Sequence, residues 1–104
     1  MDSFSFVISD KASDDLNRIY AYIANVLFSV DSAKRQIKRL YVAIHSLEEM
    51  PERYSLVDFE PEKSGGVRRM VVDRYSVYYY ITDDKVCITR ILGNRMNIAS
   101  AYRK

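Results

Sequence analysis

The chain has 104 residues, is 48% hydrophobic and carries a net charge of +2, which suits one domain over residues 1–104 with a packed core that needs no staples. Its single cysteine, Cys87, excludes an internal disulfide and favours a reducing, cytoplasmic setting; with one histidine, His45, it also excludes a zinc centre of the usual Cys/His kind, and no cofactor is expected. No stretch approaches the roughly 20 apolar residues that cross a bilayer, and Met1-Asp2-Ser3 lacks the basic lead-in of a signal peptide, so no membrane partner is expected.

Phe4, Phe6 and Ile8 alternate with Ser5 and Val7, which predicts a short strand. Ser9 or Asp10 can then cap a helix. Ala12, Leu16, Ile19, Tyr20, Ile23 and Leu27 recur at helical spacing over about residues 11–28, with Asp14, Asp15 and Arg18 read as facing water. Ser29 to Ser32 is a tight break with Asp31 as the expected second N-cap. Ala33, Ile37, Leu40, Tyr41, Ile44 and Leu47 repeat the pattern opposite a basic face of Lys34, Arg35, Lys38 and Arg39, until Pro51 ends it. Two amphipathic helices with so short a link predict an antiparallel hairpin.

Residues 51–66 hold both prolines and Gly65-Gly66 and read as a connecting loop, long enough to be functional or to be ordered by Tyr54 and Phe59. Strands follow at 67–72, 75–81 and 86–92, joined by short turns at Asp73-Arg74 and Thr82 to Lys85. Such short links predict an antiparallel meander, and Arg95 to Lys104 reads as a tail. The expected class is α+β in the order β-α-α-β-β-β. The hairpin covers one sheet face and leaves the other to solvent or a partner.

Charge divides unevenly along this order. Residues 1–66 hold eight Lys and Arg against eleven Asp and Glu, whereas residues 67–104 hold eight against three, a local +5. A basic meander points to an anionic partner, either nucleic acid or an acidic protein segment.

Four local patterns, in the right order, make the chain resemble the RelE/ParE superfamily of toxins from type II toxin–antitoxin modules. Ser46-Leu47-Glu48-Glu49-Met50-Pro51-Glu52-Arg53-Tyr54 is similar to that family's close of the second helix, and Gly66-Val67-Arg68-Arg69-Met70 to its strand entry. Asp73-Arg74-Tyr75-Ser76-Val77-Tyr78-Tyr79 resembles its tyrosine strand, and Ile88-Thr89-Arg90-Ile91-Leu92-Gly93-Asn94-Arg95 its final strand. The resemblance implies the family fold, a cognate antitoxin as partner, a hetero-oligomer with it, and one of two targets. ParE-like members poison DNA gyrase; RelE-like members cut mRNA in the ribosomal A site.

The nuclease branch uses Lys and Arg clustered on the central strands to steady charge on phosphate. Arg69 and Arg95 match two of those positions and would be the catalytic groups if the chain were a metal-independent endoribonuclease. Val71 and Ser76 stand where two more cations belong. Each such contact contributes on the order of 2–4 kcal/mol to barrier lowering, so the ParE-like reading is favoured and the nuclease is its alternative. Target- or antitoxin-binding candidates are Arg68, Arg69, Arg90, Arg95, Tyr78 and Tyr80. The plainer alternatives are an internal ion pair for Arg68, Arg69 or Arg90, core filling for the tyrosines, and a solvated or core-edge histidine at His45.

Overall fold

A computed structural model describes residues 4–95 and 97–104; the Met1-Asp2-Ser3 lead and Met96 of the expected tail lie outside the described residues. Strand β1 (Ser5–Ile8) leads into helix α1 (Asp10–Ala21), which runs on through a π-helical turn, Tyr22–Val26. Helix α2 (Val30–Ser46) follows, then a 3-10 turn (Pro51–Arg53), strands β2 (Arg68–Val72), β3 (Tyr75–Thr82) and β4 (Lys85–Gly93), and a short helix α3 (Ile98–Arg103).

The helices form where the apolar spacing places them, and the caps explain their ends. The Ser9 hydroxyl accepts from the Ala12 amide and donates to the Thr89 carbonyl at 3.0 Å, so one side chain caps α1 and ties it to β4. Ser29, not Asp31, caps α2, accepting from the Ser32 amide; Asp31 lies in the first turn, where its charge suits the helix dipole. Helix α2 stops at Ser46, short of Pro51, with Leu47 as its C-cap, and Met50 in the left-handed region then leads into the 3-10 turn. The Arg53 guanidinium donates to the carbonyls of Ser46, Glu49 and Met50 and takes up the loose end.

The sheet is mixed, in the order β1-β4-β3-β2. The meander β2-β3-β4 is antiparallel, as expected, but β1 pairs in parallel with β4, Ser5 opposite Lys85 through Ile8 opposite Ile88. Parallel pairing follows from the long crossover through the hairpin. Opposite the step from Tyr78 to Tyr79, Thr89 is skipped as the pairing passes from Arg90 to Ile88, which marks a bulge in β4. Each tight turn places an aspartate, Asp73 or Asp83, at positive φ, a region aspartate enters more readily than most residues.

The main core lies between the hairpin and the sheet. Ala12, Leu16 and Ile19 of α1, Ile23 of the π-helical turn, and Ala33, Leu40 and Ile44 of α2 pack on Met70, Val77, Tyr79, Val86, Ile88 and Ile91. The other sheet face is not left open as expected. Residues 51–66 and the expected tail fold across part of it and enclose a second cluster of Val57, Val67, Tyr78, Leu92 and Ala101, flanked by Phe59, Ile98 and Tyr102. Residues 51–66 are ordered by this packing and by pairing: Leu56 bridges Arg68, and the Val57 amide donates to the Val67 carbonyl. Apolar Ile98, Ala101 and Tyr102 recur at helical spacing, which is why the tail coils into α3. Among the described residues no helix is long and apolar enough to cross a membrane.

Candidate functional site

A cleft of about 1180 Å³ opens where α1, the β3–β4 end of the sheet and α3 meet. Its inner wall is built on an ion pair. Asp15, 1% exposed, accepts from Arg90 Nε at 2.8 Å, Arg90 Nη2 at 2.9 Å, the Ile91 amide at 2.9 Å and Arg18 at 2.9 Å. Arg90 spends its remaining Nη1 on the carbonyls of Ala101 and Tyr102. Burial pushes the Asp15 carboxyl up, but the bonds from Arg90 and Ile91 outweigh it and hold the carboxyl below its ordinary value; the same pairing raises Arg90. Two side chains thus join α1, β4 and α3.

The rim is cationic. Arg18, Arg74, Arg95 and Lys104 line the cleft, and all four are exposed. Of the two carboxylates in the lining, Asp15 is taken up by Arg90 and Arg18, and Asp73 is gripped from the far side by Arg39 through two bonds of 2.8 Å. Those bonds lower Asp73 and raise Arg39. Among the described residues no side-chain hydrogen bond or ion pair engages Arg74 or Arg95. Tyr22, Ile19, Tyr75 and Leu92 supply apolar surface within the same cleft.

The expected site residues do not share one surface. Arg95 stands on the rim. Arg69 lies against the sheet a short distance away, its Nε donating to Ser76 Oγ at 2.8 Å and its Nη2 to Asn94 Oδ1 at 3.3 Å. Ser76, standing where the resemblance places a cation, thus immobilises one instead. Arg68 donates to the carbonyls of Glu52 and Tyr54 and pins the 51–66 segment; no carboxylate meets it among the described residues. Arg90, 7% exposed, belongs to the buried pair and leaves the list of surface contacts. Tyr78 leaves it too, being fully buried beneath Tyr102, ring centroids 5.5 Å apart. Its hydroxyl has no hydrogen-bond partner among the described residues, and burial pushes its pKa up. Tyr80 is exposed but five residues along β3 from Tyr75, about 17 Å from the cleft end of the strand. His45 is exposed on α2, edge-on to Phe6 with centroids 4.8 Å apart.

Three residues of the site escaped the sequence reading. Asp15 was assigned to the water face, yet positions 12, 15, 16, 19 and 23 form one helical stripe, and that spacing is the signal that finds it. Arg74 was read only as a turn residue, and Arg18 only as a solvated one. Within the cleft burial pushes Tyr75 up, and Asp15 is fully engaged by its partners. No three His, Cys, Asp or Glu side chains among the described residues gather as a metal would require.

The family model for the ParE toxin of the type II toxin–antitoxin system parDE matches residues 6–98. No curated protein matches the chain in sequence. Among solved structures, the chromosomal ParDE toxin–antitoxin system of P. aeruginosa superposes with a TM-score of 0.73 at 21% identity, covering 88% of this chain and 96% of that one. The RelBE2 toxin–antitoxin complex of Mycobacterium tuberculosis gives 0.60 at 18% identity, over 88% and 99% of the two chains. YafQ of E. coli gives 0.50 at 18%, over 88% and 93%. At these identities the likeness is one of fold.

Proposed function

The chain belongs to the ParE toxin family of type II toxin–antitoxin systems, and from that premise we propose that it arrests growth by binding DNA gyrase through its cationic cleft, without cutting RNA. A cognate antitoxin holds it in check as a hetero-oligomer. Its place of action is the cytoplasm, where gyrase works.

One observation supports this reading over the nuclease: the strand cations do not converge on a reacting phosphate. Arg90 is consumed by Asp15, Arg69 is tied to Ser76 and Asn94, and Val71 supplies no charge. A metal-free ribonuclease needs several cations preorganised around one phosphate and a group that takes the 2′-hydroxyl proton. Here the exposed charge is spread along a rim, on Arg18, Arg74 and Arg95. Spread charge beside apolar surface suits a protein contact, in which rim cations steer and orient the partner.

The test is a supercoiling assay with purified gyrase, run beside a ribosome-dependent mRNA cleavage assay. The toxin inhibits supercoiling, Arg95→Glu weakens that inhibition about tenfold or more, and transcripts stay intact. Cut transcripts with unaffected supercoiling would overturn the reading in favour of the nuclease.

A further inference from the structure

The tip of the helical hairpin is more apolar than a solvated turn requires. Tyr22, Val26, Leu27, Phe28 and Val30 all stand exposed there, and Phe28 is 88% exposed. Singly exposed apolar residues need no account, but five within nine positions form a patch that does. The backbone adds a second sign. Phe28 sits at φ +56, a region bulky residues avoid, and it follows the π-helical turn Tyr22–Val26. Strained backbone and π-helical turns both gather at working sites. Here the strain points an aromatic ring into solvent.

The tip is continuous with the cationic cleft. Tyr22 lines the cleft and opens the turn that leads to Phe28. Arg18 lies one turn before Tyr22, with Arg74 and Arg95 along the same cleft. A strip of cations therefore runs into a strip of exposed apolar side chains.

We infer that this strip is the docking track of the antitoxin, which lays carboxylates of one segment into the cleft against Arg74 and Arg95 and continues with apolar side chains packed on Phe28 and its neighbours. The inference rests on the toxin–antitoxin reading and names the surface that reading leaves open. Charge complementarity selects the occupant. The free cations of the rim repel a basic segment, and an uncharged one would leave them unpaired against its own buried surface. Occupying the cleft also masks Arg95, so binding and neutralisation become one event. A segment that orders only on contact would use the charged half for rapid encounter and the apolar half for residence.

The experiment measures the affinity of the full-length toxin for its co-expressed and separated antitoxin, at low and high salt, for four forms of the toxin. Wild type binds with a marked salt dependence. Phe28→Gly suits the left-handed backbone and so keeps the fold; it binds about tenfold or more weakly, with an unchanged salt slope. Arg74→Glu with Arg95→Glu binds about 100-fold more weakly at low salt, with a flattened slope. Lys38→Glu on α2, which does not line the cleft, binds as wild type. If Phe28→Gly retains wild-type affinity, or if Lys38→Glu is the variant that fails, the track is not the docking surface, although the toxin–antitoxin pairing stands. If wild type does not bind the antitoxin at all, both fall together. Supercoiling inhibition, measured separately, reports on the gyrase reading alone.

Discussion

The seam between α1, β4 and α3 and the rim of the cleft are built from the same chemistry, guanidinium groups within a few residues of one another, yet they do opposite things. Arg90 is withdrawn from water and answered at each of its three nitrogens by Asp15 or a carbonyl. Arg95, a few residues on, stands in solvent with no partner among the described residues. Burial makes the first a joint, because an unpaired charge there is expensive. Exposure leaves the second available, since no side-chain bond ties it to the fold among the described residues. A count of arginines cannot tell the two apart; the question is what faces each one.

The largest effect comes from breaking the seam. Asp15→Ala strands Arg90 in the interior and costs about 3–5 kcal/mol, read as a drop in the urea midpoint. Loss of stability no greater than that of an ordinary surface substitution would show that the seam is not a joint. Acid does the same more gradually. Asp15 titrates below its ordinary value when folded, so its contribution is complete above about pH 4 and drains away as the pH falls through the lower folded-state value. The thermal midpoint of wild type should therefore fall more steeply at acid pH than that of Asp15→Asn, whose curve lacks this component.

Intermediate effects sharpen the contrast. Phe28→Gly relieves a left-handed backbone that bulky residues avoid and stabilises the fold by about 0.5–1 kcal/mol, while removing the exposed ring. A residue whose loss helps the fold and harms binding belongs with the rim. Tyr78→Phe deletes a buried hydroxyl that lacks a partner among the described residues, and should be neutral or stabilising by up to about 1 kcal/mol. A clear destabilisation would reveal a hydrogen bond made by that hydroxyl. The smallest effect is Arg95→Ala, within about 0.5 kcal/mol of wild type in unfolding, even where it weakens partner binding.

Much of the fold was legible along the chain. Ala12, Leu16, Ile19 and Ile23 mark the buried face of α1 and its π-helical turn by spacing alone, and Asp73 and Asp83 fall in the turns between strands. The site was legible only in part. Arg95 was singled out through the family resemblance and does line the cleft, but Tyr78 and Arg90 were read as surface candidates. Alternation along a strand says which residues share a face, not whether that face is covered. Here α3 and residues 51–66 cover it in part, and the bulge at Thr89 shifts the alternation on β4.

Amino-acid order by itself determined the hairpin, the three-stranded meander, the basic C-terminal third and the likeness to a toxin superfamily, because periodicity, turn chemistry and net charge are local properties. Tertiary structure alone decided that β1 joins β4 in parallel, that the tail becomes α3, and that Arg90 is spent inside while Arg18, Arg74 and Arg95 gather on a rim. The physical reason is that an ionised side chain takes its role from its dielectric surroundings and its partners. Asp15 lies 75 positions from Arg90 in the chain, and only folding brings them within 2.8 Å.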